Sequence, residues 1–211
     1  MNLSVFNKAN PYNFTCLQPN SRIMTNPTRC TWVSSDPLYI TYHDSEWGVP
    51  LHDEQKLFEL LILEGFQSGL SWITILRKRE DFREAFDHFN FHQIAQWTDE
   101  KLQECLENPK IIRNRLKIQA VKMNAQAFIK IQEKFGSFDR YIWEFVGFNP
   151  IQNHFFSHQE LPSSTELSLA MSKSLKKHGF KFVGPTICYS FMQAAGLVND
   201  HITECFCYPK N

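Results

Sequence analysis

Cys30 and His43 stand near one end of the sequence, and His201 and Cys205 stand four residues apart near the other. Thiolate and imidazole are soft to borderline donors, and four of them suit a tetrahedral zinc ion. Spacing alone leaves the matter open. Scattered Cys and His also occur with no metal, and Cys207 rivals Cys205 for the fourth position. A second constellation is aromatic: Trp32, Tyr39, Tyr42 and Trp47 crowd one short segment, while Glu64 and Trp72 flank the turn in LEGFQSGLSW. Rings with a single carboxylate make a site for a flat, cationic ligand. The competing reading is that Trp and Tyr at this density build core, with Glu64 paired to a nearby Lys or Arg.

Both constellations need a framework, and the pattern from Asp53 onward supplies helices. Asp53 can cap a helix whose Leu57, Phe58, Leu60, Leu61 and Leu63 form an apolar face too broad for the surface. Phe82, Ala85, Phe86 and Phe89 fall on one stripe, and Leu102, Cys105 and Leu106 on another. Residues 111–135 read as a longer helix ending at Gly136, and Ser137 caps a segment carrying Tyr141, Ile142, Phe145 and Val146 that Gly147 closes. A long loop over 148–163 precedes a helix capped by Thr165, and Pro185 starts a last helix that stops near Gly196. With no convincing period-two strand and no internal repeat, the fold expected is all-α.

The chain of 211 residues is 43% hydrophobic, enough for a sizeable core. Lys+Arg and Asp+Glu both total 22, so an anionic partner must be met by a local basic face and not by the overall field. Neither an export signal nor a membrane span is apparent, which gives the expectation of a cytoplasmic protein that engages no membrane. The six cysteines then read as thiols or ligands, with Cys16, Cys105 and Cys188 ordinary thiols. Residues 1–29, rich in Asn, Pro, Ser and Thr, read as a mobile extension ahead of one domain over 30–211, and Met24 permits a later translation start.

Three blocks resemble the 3-methyladenine DNA glycosylase I family: CTWVSSDPLYITYHDSEWG from Cys30, LEGFQSGLSWITIL from Leu63, and KFVGPTICYSFMQAAGLVNDH from Lys181. The resemblance spans Cys30 to Pro209 in order and spacing. It implies an all-helical, helix-hairpin-helix glycosylase with one zinc joining the N- and C-terminal segments, held by Cys30, His43, His201 and Cys205. Four protein ligands leave no open position for water, so that ion would be structural. A zinc hydrolase is disfavoured further because no H-E-x-x-H occurs. The base-binding positions matched are Glu64, as the catalytic residue, with Tyr39, Tyr42, Trp47 and Trp72.

The implied substrate is an adenine methylated on N3 in alkylated double-stranded DNA, extruded and sandwiched between rings. Methylation already makes the base a good leaving group, so no strong general acid is needed. The Asp common after the hairpin in the wider superfamily is lacking in this family, and no Lys nucleophile for strand cleavage is indicated. The reaction expected is therefore monofunctional hydrolysis to an abasic site by a monomer. The stretch NPKIIRNRLKIQA matches the family's hairpin, with Lys110 and Leu116 where relatives carry glycine. Arg113, Arg115 and Lys117 are candidate phosphate contacts, as are Arg77, Lys78 and Arg79; the alternative is a solvated basic face. Gly69 and Leu70 precede Trp72 in a turn that would lie beside the extruded base, where Leu70 would fill the gap in the stack or else be plain core. Two other functions stay in view: a glycosylase of broader range with a looser pocket, whose shape Phe66 could alter slightly, and a catalytically silent damage binder that Glu64 argues against.

Overall fold

Asp53 opens the element around which the others pack. Its carboxylate accepts from the Lys56 amide and starts α2 (Glu54–Gln67), in which every residue from Leu57 to Phe66 is buried. The breadth of the apolar face in the sequence has this cause: α3 (Trp72–Arg77), α7 (Arg115–Phe135), α8 (Phe138–Trp143) and α10 (Pro185–Ala194) all lie against it. The protein, seen in a computed structural model, is described over residues 27–209. Of the proposed extension over 1–29, residues 1–26, with Cys16 and Met24, lie outside the described residues. Thr28 and Arg29 belong to the folded part, since the Thr28 carbonyl accepts from the Phe206 amide and Arg29 pairs with Asp44.

The remaining order is α1 (Pro37–Ser45), α4 (Arg79–Ala85), α5 (Phe91–Ile94), α6 (Asp99–Glu107) and α9 (Glu166–Lys177). The capping residues read from the sequence act as such. Ser137 accepts from Arg140 N, Thr165 forms a reciprocal capping box with Ser168, Pro185 takes the first turn of α10, and Gly136 ends α7 at φ 91°. The fold is all-α as expected, apart from a minimal parallel pair, β1 (Ile151–Gln152) with β2 (Val198–Asn199). Strands of two residues carry no periodic signal, so pattern reading could not find them.

Three local expectations are corrected. The stripe from Phe82 to Phe89 is not one helix: α4 stops at Ala85, and Asp87, His88 and Phe89 take left-handed φ of 47°, 53° and 57°. Gln55 holds that turn by donating to the His88 carbonyl at 2.6 Å, and Asp87 holds it by accepting from the Trp97 indole at 2.7 Å. The reversal lets Phe86 and Phe89 both reach the core. The long helix begins at Arg115, not 111, because residues 108–114 form the connector between α6 and α7. Asn108 accepts from Lys110 N in an Asx turn, and no connector residue has positive φ, so Lys110 carries no penalty for standing in a glycine position.

A third correction adds α1, whose start was written in Asp36–Pro37: Asp36 accepts from Leu38 N at 2.9 Å and Pro37 occupies the first turn. The chain after α1 is fastened to the end of α10, with Gly48 N donating to Gln193 O and Leu51 N to Ala195 O. Gly196 makes that approach possible. It has φ +70°, and a Cβ there would stand 2.4 Å from Pro50 N and Val49 C. Gly136 shares the positive φ but faces open space. Gly136→Ala is expected to cost about 1 kcal/mol, the left-handed penalty alone. Gly196→Ala should cost at least about twice that, because backbone must also move. Thermal melts of the two variants check the order.

Candidate functional site

The aromatic residues named from the sequence converge. Trp32, ahead of α1, is the hub, with ring centroids 5.0 Å from Tyr39, 6.4 Å from Tyr42 and 5.1 Å from Trp47. Tyr42 in turn lies 5.4 Å from Trp72 at the start of α3. Sequence reading placed Trp32 in the crowd without giving it a site role; its tandem position with the Tyr39 and Tyr42 segment was the available signal. Glu64, near the end of α2, is 3% exposed, and its Oε2 has no hydrogen-bond partner. Trp72 Nε1 is likewise buried and unpartnered. Both alternatives raised for these residues, plain core and a Glu64 ion pair, leave this unexplained, since buried polar groups are nearly always paired.

Burial pushes the Glu64 carboxyl up to about 8. With nothing to compensate an anion, it is the neutral acid near neutral pH. Burial also raises the Tyr39 and Tyr42 phenols, with the Glu64 carboxylate adding to the effect in each. The site thus offers flat apolar walls, one carboxyl able both to donate and to accept, and one indole N–H.

Five residues earlier on the same helix, Glu59 is treated in the opposite way. It is buried against Arg79 at 2.6 Å and Arg83 at 2.8 Å, and Arg79 also reaches Glu46 at 2.6 Å. Arg79 is therefore an internal tie between α1, α2 and α4, which corrects the phosphate-contact expectation for it. A cleft of about 640 Å³ beside this network shares Tyr42 with the site but not Glu64 or Trp72.

The Cys and His residues also meet. The donor atoms of Cys30, His43, His201 and Cys205 lie within 4.8 Å of one another, all buried, and can hold a metal ion. Cys205 Sγ is 3.5 Å from His43 Nε2 and from His201 Nδ1, and Cys30 Sγ is 3.6 Å from His201 Nδ1. Geometry selects Cys205 over Cys207, which sits with His43 and Asp44 to one side. The other ring nitrogens are held: His43 Nδ1 meets Asp44 at 2.7 Å, and His201 Nε2 meets the Trp47 carbonyl at 3.1 Å. Arg29 fixes Asp44 with two donors.

Of the other residues singled out, Gly69 has φ +83° and presents Leu70, which is 41% exposed and so not core. Arg113 and Arg115 are exposed on the connector and the first turn of α7. Arg77 pairs with Asp36, and Lys78 donates to the Lys110 carbonyl at 2.5 Å. Phe66 turns away from the pocket into Phe82 and Phe86. Lys117 departs from expectation: it is buried, its ammonium bonded to the Phe66 and Ser68 carbonyls.

The Glu64 carboxyl has a stability signature. Its folded pKa, about 8, lies above the ordinary 4.5, so the native state holds an extra proton between those values and stability falls as pH rises through that window. Glu64→Gln removes the titration. The variant should gain on the parent by a few kcal/mol between about pH 5 and 8. Melts at both pH values measure the gap; a gap independent of pH contradicts a buried, unpaired acid.

The profile of the methyladenine glycosylase family matches residues 32–208. DNA-3-methyladenine glycosylase 1 of Escherichia coli (strain K12) is 52% identical over 183 residues, 87% of this chain and 98% of that protein. A crystal structure of 3-methyladenine DNA glycosylase I superposes with a TM-score of 0.85 at 54% identity, covering 86% of this chain and 100% of that one. The Staphylococcus aureus 3-methyladenine DNA glycosylase I, solved for its recognition of 3-methyladenine, gives 0.84 at 38% identity over 87% and 97%. The structure that holds Glu64 and Trp72 unpaired among these rings is thus that of a chain which belongs to the methyladenine glycosylase family.

Proposed function

We infer that the protein is a DNA-3-methyladenine glycosylase, which extrudes the alkylated base from double-stranded DNA and hydrolyses its N-glycosidic bond. The observation that carries this is the buried, unpartnered pair of Glu64 Oε2 and Trp72 Nε1 between aromatic rings. The relatives' shared activity agrees with it. An adenine brings an amino group at C6 and an acceptor at N7, which a neutral carboxyl answers with its carbonyl and its O–H. Guanine brings a carbonyl at C6, leaving one buried group unmatched, and such a mismatch discriminates strongly.

The methylated base is a cation that becomes neutral as its bond breaks. A carboxylate would favour the charged ground state over the transition state, so a neutral Glu64 avoids an ion pair that would oppose the reaction. What the pocket contributes is alignment: Tyr39, Tyr42, Trp47 and Trp72 hold the base while water meets the sugar. No side chain is assigned as a nucleophile, and the product is an abasic site in an intact strand. On the DNA side, Leu70 is read as the wedge that replaces the base and Arg113 and Arg115 as phosphate contacts, in a monomer acting in the cytoplasm. No helix among the described residues is long and apolar enough to cross a membrane.

The four-ligand cluster is read as a structural zinc site. Zinc bonds of about 2.0 to 2.3 Å in a tetrahedron separate donors by about 3.5 Å, which the sulfur-to-nitrogen spacings of 3.5 and 3.6 Å fit. When bound, the ion would supply cross-linking and no acid chemistry, because all its positions are filled.

Free-base release from methylated duplex DNA, resolved by chromatography, tests the reading. Glu64→Ala should lower 3-methyladenine release on the order of a hundredfold, whereas Glu64→Gln, which keeps a donor and an acceptor, should stay within roughly tenfold. A Gln variant as slow as Ala would mean that the anion is the working form, and strand breaks without alkali would contradict a monofunctional enzyme. For the metal, Cys205→Ser should lose bound zinc and melt earlier, while Cys207→Ser keeps about one equivalent. Elemental analysis of both proteins decides; an unchanged zinc content in Cys205→Ser removes that ligand from the set.

A further inference from the structure

Lys117 is the only buried lysine among the described residues, at 7% exposure. It stands in the first turn of α7, where the helix dipole disfavours a cation. Desolvation adds to that penalty and holds its pKa below the usual lysine range. The compensation comes from another helix. Lys117 Nζ donates to Phe66 O at 2.9 Å and to Ser68 O at 2.7 Å, carbonyls at the exit of α2, and lies 6.0 Å from the Phe66 ring centre. The last carbonyls of a helix lack amide partners and carry its negative end, so the ammonium is misplaced for α7 and well placed for α2.

Those carbonyls begin the turn that presents Leu70. Ser68 caps α2, Gly69 reverses the chain at φ +83°, Leu70 N bonds back to Gln67 O at 2.6 Å, and Trp72 starts α3. On its other side Lys117 adjoins the connector, since Asn114 caps α7 by accepting from Lys117 N at 3.1 Å. One residue therefore joins the two: its ammonium holds the start of the Gly69–Leu70 turn, and its backbone amide holds Asn114 at the end of the 108–114 connector.

We propose that Lys117 is a positioning residue, which sets the register between the Leu70 turn and the connector and touches no phosphate. This rests on the reading of Leu70 as the element that fills the stack. The connector grips the backbone, the turn must enter at one base step, and an error of about 1 Å between them is enough to lower the rate substantially. Single-stranded DNA has no stack to enter, so it does not need this register.

Lys117→Met keeps the length of the side chain and removes the donor. Excision from duplex DNA should fall about tenfold or more, while excision from single strands and binding of free 3-methyladenine stay within about twofold. Lys117→Met in a Leu70→Ala background should lose little more than Leu70→Ala alone, because both act through one turn. The salt dependence of duplex binding should be unchanged. A slope smaller by about 0.9 would show that Lys117 neutralises a phosphate, and the proposal would fall. Equal losses on duplex and single strands would reduce it to a stability residue. Additive losses beside a duplex-specific Leu70→Ala effect would overturn this proposal alone, whereas a Leu70→Ala variant with full duplex activity would sink the wedge reading beneath it. The native protein gives an answer that no folding defect obscures. Under limited acetylation, read by mass spectrometry, Lys117 should resist modification with and without DNA, whereas a phosphate contact would be reactive when free and protected when bound.

Discussion

A carboxyl group held out of water with no partner is the constraint on which the rest of this structure depends. Glu64 lies in the stretch of α2 from Leu57 to Phe66 that is buried throughout, and its Oε2 has no partner among the described residues. Glu59 on the same helix shows the ordinary solution, two arginines against one buried carboxylate. The contrast is informative because both residues share helix and burial and differ in what faces them. Arginine near Glu64 would have made a sound ion pair and a useless pocket. The network at Glu59 instead engages Arg79 and Arg83 and ties the end of α1 to α2 through Glu46; its charges reach Tyr42, while burial alone sets the Glu64 carboxyl.

The Cys and His cluster belongs to the same arrangement. The Trp47 indole stacks on His43 at 6.2 Å and meets His201 edge-on at 4.7 Å, while its carbonyl holds His201 Nε2. Asp44 orients His43, and Arg29 orients Asp44. One wall of the aromatic pocket is therefore the back of the four-ligand centre. On the proposed reading, an ion bridging Cys30 and Cys205 would both restrain the ends and set the plane of the Trp47 indole, so a structural site would also shape the pocket.

How much was legible in the sequence follows from what leaves a local trace. Caps at Asp53, Ser137 and Thr165, and the breadth of the apolar face of α2, are properties of short windows and read directly. The ligand set and the ring cluster were legible in type, and the resemblance chose among types. The left-handed turn at 87–89 was not, because its stabilising partners Gln55 and Trp97 lie elsewhere in the chain. Charged residues were the commonest source of error, since a basic run states charge and hides direction. Lys117 falls four residues before Val121, which precedes Ala125 and Phe128 on the buried face of α7, and Arg79 falls three before buried Phe82. Periodicity put both side chains inside, yet their type was given more weight than their register.

The economy of the catalytic apparatus has a physical reason in the substrate. A base already carrying positive charge departs readily, so the barrier that remains to the protein is access: unstacking a nucleotide, recognising it and excluding the undamaged ones. Undamaged adenine offers the same amino group and the same N7, so on the proposed reading Glu64 and Trp72 would not reject it by hydrogen bonding alone. The rejection must come from leaving-group chemistry, because an uncharged base held in the same pocket keeps a strong glycosidic bond. Selectivity for alkylation then resides in the substrate and selectivity for adenine in the pocket. A strong general acid would erode the first by activating every adenine that entered. On the proposed reading, a neutral Glu64 carboxyl committed to the C6 and N7 edge, and not to the breaking bond, would keep the two separate.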